Sequence, residues 1–307
     1  MTDHIFFEHF EGLWQDLEKE GSLTKEKPLL AHYTSIDTFE KIITNKEIWL
    51  SNPLQMNDYE ELVFGIRTGR ELFNSSDEIR AACGDDLKYE VLSRFFHLSM
   101  NHFDNEASQD VYTLCFSEHD PDDNNGLLSM WRGYGGNGNG VAIVINSESI
   151  PLSDGCPVRF SKVRYGTTRE REERTKTLIS KFSKIVNDII KSESIRGGKK
   201  MAMSAHALYL LIVHYSLFLK HNGFDEEKEW RAVYFPYLDR SNIFHPMLSY
   251  SIANQVIVPK LKLKLQHDDG VLPADFKLEN LIDRIILGEL QFAWSENHVR
   301  KTLGALR

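Results

Sequence analysis

Residues 29–35 read "LLAHYTS", a short apolar run that ends in an imidazole, a phenol and two hydroxyls just before a helix start. In an extended chain Leu30, His32 and Thr34 share one side, while Tyr33 and Ser35 point the other way. The pattern predicts a strand over 29–34 and a helix over about 36–45, with Ser35 or Asp37 as its N-cap. Two later stretches repeat this layout. "VYTLCFSE" (111–118) has the β-branched and aromatic content of a buried strand, yet it ends in Ser117 and Glu118. "EKEWRAVYF" (227–235) places Glu229 and Arg231 on one face and Trp230 on the other. Three strands carrying polar groups in this way predict a single cleft that all of them line.

Working outward, "EIWLSN", "GVAIVIN" (140–146), "CPVRFSKVRY", "NQVIVP", "KLKLKLQ" and "DRIILG" supply further strands. Helical periodicity appears over 3–20, up to about 73, near 86–103 and over about 167–193, where the outer face is strongly charged. A stretch over 200–221 is apolar nearly all round and reads as a buried helix. Strands interrupted by helices, without regular βα alternation, predict an α+β fold with a split mixed sheet. The expected organisation is an N-terminal docking helix and linker over 1–28, then one α+β domain over 29–307 with a helical insertion at about 167–221.

The 307 residues are enough for a substantial core, and 41% apolar with 26% charged residues is ordinary for a globular protein. A net charge of −9 opposes sequence-independent attachment to nucleic acid, which relies on neutralising phosphates with Lys and Arg. The acidic N-terminus lacks the basic region of a signal peptide, and the most apolar stretch, "ALYLLIVHYSLFLK", is too short to span a bilayer. A cytoplasmic location with no membrane partner is therefore expected. Cys83, Cys115 and Cys156 are widely spaced and odd in number, which suits reduced thiols.

The candidate ligand-binding residues fall in five places. Beside His32, Tyr33, Thr34 and Ser35 stands "NDYEE", with Asn57, Asp58 and Glu61 at a loop-to-helix junction where the same residues also serve as cap and first turn. In "CFSE", Phe116, Ser117 and Glu118 lie at a strand end, with no GxSxG elbow to make Ser117 a hydrolase nucleophile. "MWRGYGGNGNG" offers Trp131 and Tyr134 for stacking, followed by glycines that permit close backbone approach; their spacing matches no phosphate-binding fingerprint. Glu229 is placed to support positive charge at a breaking glycosidic bond, and Arg231 is a substrate-binding candidate unless the two form a solvated pair. The histidines at 206, 214 and 221 do not have zinc-site spacing, so no metal is expected. Asp58, Glu61, Glu118 and Glu229 leave a metal-dependent phosphodiesterase or nuclease as an alternative, and the 119–139 loop leaves a non-catalytic nucleotide-sensing or interaction module as another.

Taken in order, "AHYTS", "NDYEE", "CFSE", "MWRGYG" with "GVAIVI", and "EKEWR" resemble the bacterial domain-of-unknown-function family 2971 over about residues 29–236. The chain departs from that pattern at Tyr59, where proline commonly follows "ND", and at Phe224, where tryptophan is usual. More distantly, the strand with "HYT", the hydroxyl and aromatic middle region and the late strand glutamate are similar to ADP-ribosyltransferases. That resemblance implies NAD as substrate: His32 holding ribose, Tyr134 or Trp131 stacking on nicotinamide, Ser117 orienting its amide and Glu229 assisting cleavage. It further implies transfer of ADP-ribose to an unidentified protein or nucleic-acid acceptor, or hydrolysis of the nicotinamide bond. On this reading Glu229→Gln abolishes turnover and leaves thermal stability nearly intact.

Overall fold

The computed structural model describes residues 8–14, 22–56, 59–105, 107–151, 156–191, 197–253, 255–265, 276–288 and 301. The strands are β1 (Leu29–Thr34), β2 (Glu47–Ser51), β3 (Tyr112–His119), β4 (Val141–Asn146), β5 (Val158–Lys162) and β6 (Arg164–Gly166). They continue with β7 (Leu219–His221), β8 (Glu229–Tyr234), β9 (Leu248–Ala253), β10 (Val256–Lys264) and β11 (Ile282–Leu287). The helices are α1 (Leu23–Glu26), α2 (Ile36–Asn45), α3 (Tyr59–Asn74), α4 (Asp77–Cys83) and α5 (Asp86–Asn105). After them come α6 (Leu128–Gly133), α7 (Thr168–Lys191), α8 (Gly197–Leu217) and α9 (Leu278–Leu281). The fold is α+β, as the patterning predicts, with a largely antiparallel sheet.

Where the sequence reads one domain, the chain divides into two compact units. Unit 1 takes 1–20, 53–110 and 164–222; unit 2 takes 21–52, 111–163 and 223–307. The expected insertion at 167–221 is one part of unit 1, which also gathers the helices over 59–105.

Unit 2 is built on a nine-stranded sheet whose main path runs β11-β4-β1-β3-β2-β10-β9, with β8 and β5 branching from β3. Its described pairings are all antiparallel. The sheet is literally split. β1 pairs with β3 only through Leu29, Leu30 and Ala31, and β2 touches β3 only at Ser51↔Thr113. Beyond those points β1 and β2 part, β1 continuing along β4 and β2 along β10. β3 is thus the stem of a fork, with β8 along its other edge.

One face of this sheet carries Leu30, Phe116, Ile143, Trp230 and Leu50 and packs against Phe39, Ile42 and Ile43 of α2. On the other face, Ala31, Tyr33, Ala142, Val144 and Ile286 pack against Met130 and Trp131 of α6. The helix after β1 starts where Ser35 Oγ accepts the Thr38 N–H at 3.2 Å, so Ser35 is the N-cap. "NQVIVP" and "KLKLKLQ" form one strand, β10, because Pro259 sits just before the β2 pairing begins at Lys260 and needs no donor toward β2.

Unit 1 packs its helices around α8, whose apolar residues are buried on several sides. Gly65 and Gly69 of α3 make that packing possible. A Cβ on Gly65 meets Ser216 Oγ at 2.3 Å, and one on Gly69 meets Ile212 Cγ2 at 2.5 Å. α8 stops at Leu217, short of the expected 221, because residues 219–221 pair in parallel with β6. Of the helix expected over 3–20, residues 8–14 are described: Phe10 is buried and stacks on Phe182 of α7 at 5.5 Å.

Candidate functional site

The three stretches singled out in the sequence are hydrogen-bonded neighbours. β1, β3 and β8 lie side by side, with Ala31 opposite Ser117, Ser117 opposite Glu229, and Cys115 opposite Arg231. The Glu118 N–H bonds the Lys228 carbonyl on the β8 side, so the odd-numbered residues of β3 direct their backbone groups toward β1 and β2. Cys115 stands between Ser117, paired with β1, and Thr113, paired with β2, which places its carbonyl at the fork.

His32, the first residue of β1 past the fork, meets that carbonyl with Nδ1 at 3.1 Å. A carbonyl only accepts, so Nδ1 carries the proton and the neutral ring keeps Nε2 as an acceptor. Burial pushes the imidazole pKa below its ordinary 6.5, while the Cys115 bond works in the opposite direction. Phe116 stands edge-on to the ring, with centroids 5.9 Å apart.

Across β3 the chemistry differs. Arg231 binds Glu229 through Nε to Oε1 at 2.7 Å and Nη2 to Oε2 at 3.0 Å, both residues being 3% exposed. Fully buried Ser117 donates its hydroxyl to the Glu227 carbonyl at 2.6 Å, which leaves its oxygen able to accept but commits its proton.

Because antiparallel partners share a face, Tyr33, Ser117, Glu229 and Arg231 lie on one side of the sheet, and Thr34, Phe116 and Glu118 on the other. By alternation His32 belongs to the second set. The strands converge as expected, but the single cleft expected to hold His32 and Glu229 together is not formed: their side chains leave adjacent ladder positions in opposite directions. The solvated Glu229–Arg231 pair allowed by the sequence is instead buried.

Several candidates are engaged by partners within the protein. Glu118 accepts from Lys162 Nζ at 2.7 Å and Trp230 Nε1 at 3.1 Å, and Lys162 lies over the Trp230 ring at 5.7 Å. Burial raises the Glu118 pKa, but those two donors outweigh it and hold the carboxyl below its ordinary range. Glu61 belongs to unit 1, where it pairs with buried Arg171 and accepts the His221 N–H at 3.4 Å. Asn57 and Asp58 lie outside the described residues. Ser35 is the α2 cap, and Thr34 is buried.

Trp131 does not offer a stacking face. It is buried, donates Nε1 to the Asn125 carbonyl at 2.7 Å and meets Tyr33 edge-on at 4.9 Å. The Tyr33 hydroxyl accepts the Leu127 N–H at 2.9 Å. The neighbouring glycines serve this packing: a Cβ on Gly135 meets Trp131 Cε3 at 2.4 Å, and one on Gly140 meets the Thr34 carbonyl at 2.4 Å. Tyr134 is 37% exposed at the end of α6. Sequence reasoning missed the Cys115 carbonyl, since no side-chain pattern marks a fork, and Lys162, whose pairing with Glu118 is a long-range contact. It also missed buried Asp239, which gathers the Tyr234 hydroxyl and the N–H groups of Ile243, Phe244 and His245 within 3.2 Å.

Residues 130–232 match the model of a family described as "Protein of unknown function (DUF2971)". That segment contains "MWRGYG", "GVAIVI" and "EKEWR", whereas "AHYTS", "NDYEE" and "CFSE" precede it. No curated protein and no solved structure matches the chain. Among the described residues no helix is long and apolar enough to cross a membrane, and no three His, Cys, Asp or Glu side chains are grouped to hold a metal ion.

Proposed function

We propose that unit 2 binds NAD at the fork of its sheet and transfers ADP-ribose to an acceptor, or to water, in the cytoplasm. The observation that carries this reading is the tautomer of His32. With Nδ1–H held by the Cys115 carbonyl, the neutral imidazole offers Nε2 to a ribose hydroxyl donor. Ser117 lies on the opposite face of the sheet and is fully buried, so the amide of the same nucleotide is left to groups on the His32 face. In the reaction the C1′–nitrogen bond breaks, its electron pair leaves with nicotinamide, and an acceptor oxygen attacks C1′ and loses its proton. A carboxylate near C1′ stabilises the developing cation. Glu229, held by Arg231 on the opposite face of the sheet from His32, is not positioned for that part in this arrangement.

That condition favours a second reading, nucleotide sensing without turnover, because both Glu229 oxygens are engaged by one guanidinium. The metal-dependent phosphodiesterase reading has less support, since Glu61, Glu118 and Glu229 are each committed to a cation of the protein. Calorimetric titration with NAD and an assay for released nicotinamide separate the possibilities. Heat of binding with nicotinamide release supports transfer or hydrolysis, and binding without release supports sensing. The absence of NAD binding removes both, and activity that a chelator abolishes and magnesium restores returns the metal reading.

A further inference from the structure

The apolar face of the unit 2 sheet is not fully packed. Between it and the opposite wall, formed by α2, α9 and the segments around Ile150 and Phe244, lies a cavity of about 110 Å³. Leu114, Phe116, Ile143 and Phe160 line the sheet side, Ile42 and Leu281 the other, and Cys156 is also among the lining residues. The sequence explains the space. On β8, Trp230 and Tyr234 share the inward face and are fully buried, but the position between them is Ala232. Its partners across the ladder, Leu114 and Phe160, also line the cavity, so Ala232 faces the void with a single methyl.

Cavities of this size lined by aliphatic and aromatic side chains stay dry and take up molecules such as benzene or xenon. Among the described residues the lining provides no charged group and no hydroxyl that would orient a polar ligand. We infer that unit 2 holds an uncharged, hydrocarbon-like molecule of about the bulk of a benzene ring in this cavity, whose wall includes Phe116 beside the His32 ring. Its recognition is by shape and apolar contact alone. The inference does not depend on NAD binding.

The test uses the full chain, with benzene as the probe. Benzene is expected to raise the melting temperature. At ten times its dissociation constant it slows iodoacetamide modification of Cys156, read by peptide mass spectrometry, about tenfold. Burial already raises the Cys156 thiol pKa, so the modification is slow enough to time. Ala232→Leu fills the space and is expected to abolish both effects while remaining folded; Ala232→Val is expected to weaken them. No benzene effect on the wild-type chain overturns the inference. So does benzene binding that survives Ala232→Leu, or a collapse of the fold in both Ala232 variants, which would mean that the space is absent.

Discussion

Glu229 and Arg231 show what alternation along a strand can and cannot tell. The two-residue spacing puts them on one face, and that much is legible in "EWR". Whether they face water or each other is decided by burial, which is a property of the folded molecule. Buried at 3% each, they form a pair whose breakage leaves a charge without its partner. Glu229→Gln is therefore expected to lower the stability by about 3–5 kcal/mol, measured by urea unfolding. Replacing Glu229 with Leu and Arg231 with Met together is expected to cost far less. This reverses the expectation from sequence that Glu229→Gln leaves stability nearly intact.

His32 gives a prediction of known sign. Its folded pKa is lowered from 6.5, so the unfolded chain binds more protons in the window between the folded value and 6.5. The ring's contribution to stability is complete above pH 6.5 and is lost as pH falls through that window. His97 and His206 are lowered too, so the slope is shared. The difference between wild type and His32→Asn isolates the share of His32, and the variant is expected to show the flatter stability profile below pH 6.5.

At the level of elements, β1 and α2 were read from the sequence with the bounds the structure has, because an alternating run, a Ser cap and an amphipathic turn pattern agree there. The fork was not legible. It arises from which strands pair and where pairing stops, information carried by long-range register. The glycines of 133–140 were read as room for a ligand, whereas the structure uses Gly140 to bring its chain against the β1 backbone. A Cβ there meets the Thr34 carbonyl and the Gly135 Cα, at 2.4 and 2.7 Å, and backbone cannot turn aside as a side chain does. Gly140→Ala is expected to cost roughly 1–3 kcal/mol, the range for overpacking, by thermal or urea unfolding. Gly133→Ala, where nothing lies within 4 Å of the added carbon, serves as the control.

For the whole molecule, periodicity identified most helices and strands but not their grouping. Residues 53–110 and 164–222 are far apart in sequence, and what joins them in one unit is tertiary packing around α8. Neither unit is a continuous segment. Truncation after residue 222 removes β8, β9, β10 and β11 from the nine-stranded sheet, so the fragment is expected to lose the dispersed methyl NMR spectrum of unit 2. The cavity matters at this scale as well. Ala232→Leu, which places three more carbons in this space, is expected to raise the urea midpoint.

The central claim is that His32, oriented by the Cys115 carbonyl, presents Nε2 to a nucleotide ribose. Calorimetric titration of NAD into His32→Asn and His32→Gln tests it most directly. Asparagine's amide takes the place of Nδ1–H and keeps the Cys115 bond while removing the Nε2 acceptor; the longer glutamine amide retains an acceptor near Nε2. The account predicts that His32→Asn folds like wild type and loses at least about tenfold in affinity, one hydrogen bond to a neutral group, while His32→Gln retains more binding. Equal NAD affinity in wild type and His32→Asn contradicts it.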